Sequence, residues 1–103
     1  MRVIAKSTLK KFWLKHTDAE VPLQSWHKLV SEADWKTPAE LKADIKSASV
    51  VGNNRIVFNI KGNDYRLVTY IDFKFQIVFV LWLGTHKQYD KVDVKTITYD
   101  KGD

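Results

Sequence analysis

The segment VLWLGTHKQYD at residues 80–90 ends an apolar run and continues directly with side chains that can transfer protons or bind phosphate. If Thr85 caps a short helical turn, His86 lies three residues before Tyr89 and four before Asp90, so these side chains share one side of the turn. Asp90 could then orient the His86 imidazole, which with an ordinary pKa near ~6.5 can give or take a proton at neutral pH. The same spacing also fits a polar surface turn with no chemical role.

Other catalytic arrangements find no support in the sequence. The chain has no cysteine, which excludes a thiolate zinc site and a disulfide framework. Its three histidines, His16, His27 and His86, are widely spaced, and neither an HExxH motif nor a His-x-His pair is present. A glycine-rich phosphate loop and a nucleophile-elbow serine are also missing. The sequence therefore predicts neither a metal site nor a covalent nucleophile.

Positive charge is concentrated near the start of the chain. The formal net charge is +5, and residues 1–17 contain five basic residues and no acidic one. A small basic protein of this kind is a candidate for binding nucleic acid or an acidic protein. Any single lysine is better explained as solvated surface. Three lysines of the first predicted helix are nevertheless expected to form one RNA-contacting face: Lys10, Lys11 and Lys15.

The length of 103 residues, 45% of them apolar, predicts a single folded domain over residues 1–103. The longest apolar run, residues 77–83, is far too short to span a bilayer. No pattern typical of a secretory signal peptide opens the chain. We therefore expect a soluble, cytoplasmic protein that makes no contact with a membrane.

The first half of the chain is patterned as helices. Ser7 is predicted to cap a first helix and Asp18 a second, each followed by apolar residues at helical spacing. In the segment TPAELKADI, Thr37 and Glu40 fit a capping box, with Pro38 at the first helical position. The sequence thus predicts two long helices and a short third one.

From residue 50 the apolar pattern changes to a period of two, which is typical of strands. A short extended piece and a GNN turn precede the strand RIVFNI, and KGND is predicted to be a hairpin turn in which Gly62 and Asn63 accept positive φ. The return strand YRLVTYIDF places Arg66 on its more polar face. IVFVLWL is apolar on both faces and is predicted to be a central, doubly covered strand. Together these elements predict an α+β domain, with helices packed on one face of an antiparallel sheet.

Two segments, RIVFNIKGNDYRLVTYIDF and VLWLGTHKQYDKVD, together resemble the HigB toxin family of small RelE-superfamily proteins from type II toxin–antitoxin systems. The preceding WKTPAELKADI also resembles this family, so the likeness runs from about Trp35 to Asp93. It implies a RelE-like fold and a metal-independent, cofactor-free endoribonuclease that cleaves mRNA on translating ribosomes. It also implies a helix-turn-helix antitoxin as partner, through which alone the toxin reaches operator DNA.

The resemblance also assigns roles to individual residues. The family's catalytic positions are matched by Arg66 in YRL and by His86 and Tyr89 in GTH-x-x-YD. Separately, we expect Gly84 to end its strand and to leave room for the RNA backbone. Many relatives have Glu where this chain has Gln88, so a basic role there is absent. The implied RNA contacts or turn residues are Asn59, Lys61 and Asn63, and Lys87 is a further candidate RNA contact.

Two alternatives compete with the ribonuclease hypothesis. The chain could be a RelE-fold toxin without nuclease activity, such as a gyrase poison of the ParE type. It could also be a basic RNA- or protein-binding domain in which the GTHKQYD turn is only structural. The joint presence of Arg66, His86 and Tyr89 favours the ribonuclease, because a protein without nuclease activity has no need for that set.

Overall fold

The computed structural model describes residues 1–97. In that part of the chain it contains five strands and four helices, with a single 3₁₀ turn at Thr17–Ala19. In chain order these elements are β1 (Arg2–Ile4), α1 (Lys6–Lys15), α2 (Glu20–Glu32), α3 (Pro38–Asp44), β2 (Ser49–Val51), β3 (Arg55–Ile60), β4 (Tyr65–Asp72), β5 (Ile77–Thr85) and α4 (His86–Tyr89).

The five strands form one mixed sheet in the order β1-β5-β4-β3-β2. The neighbours from β2 to β5 pair antiparallel, which confirms the predicted meander. The prediction of a wholly antiparallel sheet is wrong, because β1 adds a parallel strand beside β5, with Arg2 opposite Ile77. A three-residue strand carries too little pattern to be recognised, and its partner lies more than seventy residues away in the chain.

The helices begin at positions that the sequence predicted only in part. Thr37 caps α3 as expected, with its side chain accepting a hydrogen bond from the Glu40 amide at 3.2 Å. Ser7 is not the cap of α1, because the helix begins at Lys6 after Ala5, which has a left-handed backbone with φ 76°. Asp18 does not cap α2 either, since it lies in the 3₁₀ turn that precedes that helix.

The hydrophobic core lies between the helices and one face of the sheet, as predicted. Side chains at alternate positions of β4, such as Leu67 and Ile71, are fully buried against the helical layer. Trp26 of α2 packs edge-on against Phe58 of β3, with ring centres 5.3 Å apart. This packing covers one side of the sheet, and its other face, which we call the open face, is not covered by α1, α2 or α3.

A β-bulge in β5 decides which of its side chains reach the open face. The register shifts between Val68 and Thr69, so that Thr69 pairs with Val80 whereas Val68 pairs with Trp82. One extra residue, Leu81, therefore reverses the alternation of β5. Trp82 consequently lies on the open face, opposite Val68.

The open face is only partly covered. Val68 is fully buried there, but Trp82 of the predicted doubly covered strand is only half-buried. Residues 93–97 cross the end of β3, where Arg55 donates a hydrogen bond to the Ile97 carbonyl at 2.5 Å. Among the described residues 1–97, no helix is long and apolar enough to cross a membrane.

Candidate active site

Three neighbouring strands place three of the relevant positions side by side on the open face. Asn59 of β3 pairs with Arg66 of β4, and Arg66 in turn pairs with Gly84 of β5. Because side chains at paired positions project from the same face of a sheet, Asn59 and Arg66 lie next to each other. Gly84 adds no side chain to this row, and the space over it holds the edge of the Trp82 ring and Oε1 of Gln88. The room for the RNA backbone that was predicted at this glycine is therefore already filled.

Arg66 is held by the backbone of the hairpin that follows β3. Its Nη1 donates to the carbonyl of Asn63 at 3.1 Å and to that of Tyr65 at 3.4 Å. The guanidinium carbon lies 5.9 Å from the centre of the Tyr89 ring, a cation–π distance. Within residues 1–97, no carboxylate forms an ion pair with Arg66. Its positive charge is therefore oriented but not neutralised, as the binding of an anion requires.

The short helix α4 is fixed at its first turn. The Thr85 hydroxyl accepts from the Gln88 amide at 3.2 Å, while Oε1 of Gln88 accepts from the Thr85 amide at 3.0 Å. This capping box confirms that Thr85 is the cap. The His86 amide also donates to the Asp64 carbonyl in the β3–β4 turn at 3.1 Å. The helix is thereby attached to the same hairpin that holds Arg66.

α4 directs its chemically active side chains toward Arg66 and the solvent. The Tyr89 ring lies between Arg66 and Trp82, with the two ring centres 6.3 Å apart. His86 is exposed, and its Nδ1 lies 3.7 Å from a carboxylate oxygen of Asp90. That separation exceeds a hydrogen bond, so the two side chains are close neighbours without being bonded. The predicted placement of His86 and Asp90 on the same side of the turn is confirmed.

Of the candidate RNA contacts, three belong to this region. Asn59 Nδ2 donates to Oδ1 of Asn63 at 3.5 Å, so these two amides form the edge of the open face beside Arg66. Lys87 is exposed on α4, immediately after His86. In the turn itself the positive φ angles fall on Lys61 and Gly62 and not on Asn63, which departs from the prediction.

Lys61 is directed to the helical side instead. Its Nζ lies 2.7 Å from Asp18 and 3.5 Å from Asp64. The Tyr65 hydroxyl also donates to Asp18 at 2.5 Å. We call Asp18, Lys61 and Tyr65 the clasp, because together they connect the hairpin to the helical layer.

The clasp is electrostatically stable at neutral pH. Hydrogen bonds, first from Lys61 and then from Tyr65, hold the pKa of the Asp18 carboxyl below its ordinary value. The hydrogen bond to Asp18 in turn raises the pKa of Lys61 and that of Tyr65. Because the carboxyl pKa is lower in the folded than in the unfolded chain, it stabilises the fold at pH values above the unfolded pKa. This contribution is lost as the pH falls through the lowered, folded-state pKa. Lys61 is thus charged and already paired, which the sequence alone did not indicate.

The three lysines of α1 do not form one face near Arg66. Lys10 lines a groove between α1 and α2 together with Trp13 and His27. Lys11 and Lys15 line a second groove, beside Leu83 of β5. Leu83 packs against the core of the helical side, so these lysines lie away from the open face.

Gly84 is required by the packing of the chain itself. We predicted that the strand ends at Gly84, but it continues to Thr85. A Cβ atom at position 84 would lie 2.5 Å from Cη2 of Trp82 and 2.7 Å from Oε1 of Gln88. The close neighbours of this glycine are therefore the Trp82 ring and the side chain that completes the capping box.

We expect Gly84→Ala to lower the free energy of unfolding by about 1–3 kcal/mol, because Trp82 or Gln88 must move to admit the methyl group. Urea denaturation followed by circular dichroism measures this loss. Gly52→Ala is the matched control, since a Cβ there meets no atom within 4 Å. Equal stability of the two variants would show that the Trp82 ring is free to move aside.

The described residues 1–97 contain no group of three or more His, Cys, Asp or Glu side chains placed to hold a metal ion. The groups that lie together at the open face are instead a guanidinium, a phenol and two amides, from Arg66, Tyr89, Asn59 and Asn63. α4 also carries the exposed imidazole of His86. Such a set can bind a phosphate, donate or accept protons and hydrogen-bond to a polar chain.

Comparison with known proteins places this site in a family context. The model of the HigB_toxin family, the RelE-like toxic component of a toxin-antitoxin system, matches residues 19–92. The chain is similar to the mRNA interferase HigB of Escherichia coli O6:H1 (strain CFT073), with 27% identity over 94 residues, 89% of this chain and 91% of the relative. It is 28% identical over 92 residues, 87% of this chain and 88% of each relative, to the mRNA interferase toxin HigB of Escherichia coli K12 and the mRNA interferase HigB of Shigella flexneri. The family match includes Arg66, His86 and Tyr89 but excludes the lysines of α1.

Proposed function

Because the chain belongs to the HigB toxin family, the RelE-like toxic components of toxin–antitoxin systems, we propose that it is an mRNA interferase. In this proposal it cleaves translated mRNA on the ribosome and so inhibits translation. The observation that carries the proposal is that Arg66 from β4 lies against Tyr89 of α4, the helix that also carries the exposed His86.

The proposed reaction is an intramolecular transesterification of RNA. The ribose 2′-hydroxyl attacks the adjacent phosphorus atom, loses its proton and forms a 2′,3′-cyclic phosphate. The bond from phosphorus to the 5′ oxygen breaks, and that oxygen takes up a proton and leaves as a hydroxyl. The step therefore needs a proton acceptor, a proton donor and a cation for the negative charge on the phosphorane.

The site offers a group for each of these needs. Arg66 presents a fork of N–H donors that matches a phosphate, and its charge has no internal counter-ion among the described residues. His86 and Tyr89 provide the proton-transferring groups, and we do not divide the roles of base and acid between them. Gln88 takes no part, since an amide is not a base and its oxygen is bonded to the Thr85 amide.

The RNA contacts follow from the same face. We assign Asn59, Asn63 and Lys87 to binding of the RNA chain, because they border Arg66 and His86. Lys61 is left out of this set, because its ammonium group is paired with Asp18 on the other side of the hairpin. We assign it to the support of the hairpin that carries Arg66.

As the toxic component of a toxin–antitoxin system, the chain has an antitoxin as its partner. We propose a helix-turn-helix antitoxin of the HigA kind, which neutralises the toxin and alone connects it to operator DNA. The other proposed partners are the ribosome and its mRNA, which places the protein in the cytoplasm.

Induced expression in bacteria, with and without the neighbouring antitoxin gene, tests the proposal. We expect growth arrest that the antitoxin relieves, together with new 5′ ends inside coding regions in primer extension. Growth arrest without transcript cleavage would instead identify a toxin that is not a nuclease, such as a gyrase poison. If growth is not arrested at all, the chain is instead a basic binding domain.

We expect the lysines of α1 to hold the toxin on ribosomal RNA without taking part in the chemistry. Replacing Lys10, Lys11 and Lys15 by glutamine should weaken ribosome association and reduce the salt dependence of its affinity, because fewer counterions are released. Cosedimentation with ribosomes at several salt concentrations measures both quantities. A triple replacement of Lys28, Lys46 and Lys74 removes the same charge from other exposed positions. If both variants bind alike, the α1 lysines are ordinary surface, and co-purification then tests whether they contact the antitoxin.

A further inference from the structure

Trp82 is an aromatic residue of the open face near the proposed cleavage site. It lies two residues before Gly84 on β5, and Gly84 is paired with Arg66. Two residues along a strand correspond to about 6.6 Å between their backbone positions. The outer edge of the indole extends over Gly84, since Cη2 and Cζ2 would touch a Cβ atom there.

We propose that Trp82 forms a stacking subsite for the base of a nucleotide adjacent to the scissile phosphate. The inference rests on the proposed function, because it takes Arg66 as the group that binds that phosphate. Single-stranded RNA presents its bases for stacking on aromatic side chains, and such a contact accepts any base because each has a π-face. Trp82 thus contributes affinity and placement of the RNA rather than a base preference.

The environment of Trp82 differs from that of the tryptophans of the core. Trp26 and Trp35 are buried, the former against Phe58, and the latter donates a hydrogen bond to Asp44 at 2.8 Å. Trp82 is half-buried and tilted by 46° to the Tyr89 ring, so that the two rings do not stack on each other. A ring that is not stacked internally can stack on a ligand.

Trp82 also covers Val68, and that cover alone would explain an apolar residue at this position. Leucine would provide a similar cover with no aromatic face. A side chain that only covers Val68 needs neither a large aromatic ring nor a glycine two residues later. Because position 84 is a glycine, the ring edge can lie over the residue that is paired with Arg66.

The decisive comparison is between Trp82→Phe, which keeps an aromatic face, and Trp82→Leu, which keeps only the apolar cover. Single-turnover cleavage on programmed ribosomes, measured over a range of toxin concentrations, separates the half-saturating concentration from the maximal rate. We expect Trp82→Leu to raise the half-saturating concentration roughly 5- to 150-fold, the equivalent of one lost base stack of about 1–3 kcal/mol. Trp82→Phe should recover most of this loss, and circular dichroism confirms the fold of both variants.

Trp13→Leu serves as the control, since Trp13 is a half-buried tryptophan on the helical side. Stacking is measured directly with an mRNA that has a 2′-deoxy nucleotide at the cleavage position and 2-aminopurine beside it. The fluorescence of the 2-aminopurine should fall when the wild-type toxin or Trp82→Phe binds, but not when Trp82→Leu binds. An unchanged half-saturating concentration in Trp82→Leu, or a loss confined to its maximal rate, would overturn the proposal. Failure of the wild-type protein to cleave any mRNA would overturn the proposed function, while the 2-aminopurine signal would still report on stacking.

Discussion

Replacing Arg66 by alanine is expected to reduce mRNA cleavage by about 10²–10³-fold while leaving the fold intact. The guanidinium is bonded only to two backbone carbonyls and lies over the Tyr89 ring, outside the hydrophobic core. Its loss removes the positive charge that faces the phosphorane. Single-turnover cleavage on programmed ribosomes measures the effect, with circular dichroism as the control for folding.

Arg55 provides a matched control for this substitution. It also projects from the sheet over a tyrosine, Tyr70, and its guanidinium also donates to backbone carbonyls. Arg55→Ala is expected to keep cleavage close to the wild-type rate, because its guanidinium is bound to the Ile97 carbonyl away from α4. Arg66→Lys should be impaired as well, since an ammonium group lacks the fork that matches a phosphate. Wild-type cleavage in Arg66→Ala would remove this residue from the site.

Truncating His86 to alanine is expected to reduce cleavage by about 10²–10⁴-fold, the usual contribution of one proton-transferring group. The side chain is exposed and takes no part in the core, so the thermal stability of the variant should match that of the wild type. The α2 residue His27, half-buried and remote from the open face, supplies the control substitution His27→Ala.

Tyr89 distinguishes two chemical roles within the same experiment. Tyr89→Phe removes only the hydroxyl and keeps the ring against Arg66, so a loss of cleavage in it indicates proton transfer or hydrogen bonding by that hydroxyl. Loss only in Tyr89→Ala indicates that the ring itself is needed, as the support of Arg66 or as a stacking surface. Wild-type rates in both His86→Ala and Tyr89→Ala would mean that GTHKQYD is no more than a polar turn.

Several features encoded by neighbouring residues were predictable from the sequence, although the predicted caps Ser7 and Asp18 were wrong. The cap of α3, the turn after β2, the strand β3 and the cap of α4 are all confirmed, because each depends on residues within about four positions of one another. The alternation of β4 likewise placed Arg66 on the face opposite to the core.

Features that depend on distant partners were not predictable. β1 becomes a strand only because β5 offers an edge to it, and Lys61 is paired with Asp18, 43 residues away. The bulge in β5 has no clear sign in the run IVFVLWL, yet it decides that Trp82 reaches the open face. Sequence reasoning therefore named the polar residues of the candidate site but gave no sign that the Trp82 ring lies on the same face.

The clasp and the proposed catalytic arginine occupy adjacent positions of one strand. Tyr65 points to Asp18 on the helical side, and Arg66 points to the open face. Apart from those at Val68, which is buried on the open face, substitutions along β4 should consequently alternate between those that impair folding and those that alter activity. Such a separation lets mutations accumulate at the exposed positions of the open face without loss of the core. A family built on this strand can therefore diversify the transcripts it recognises while its members keep one architecture.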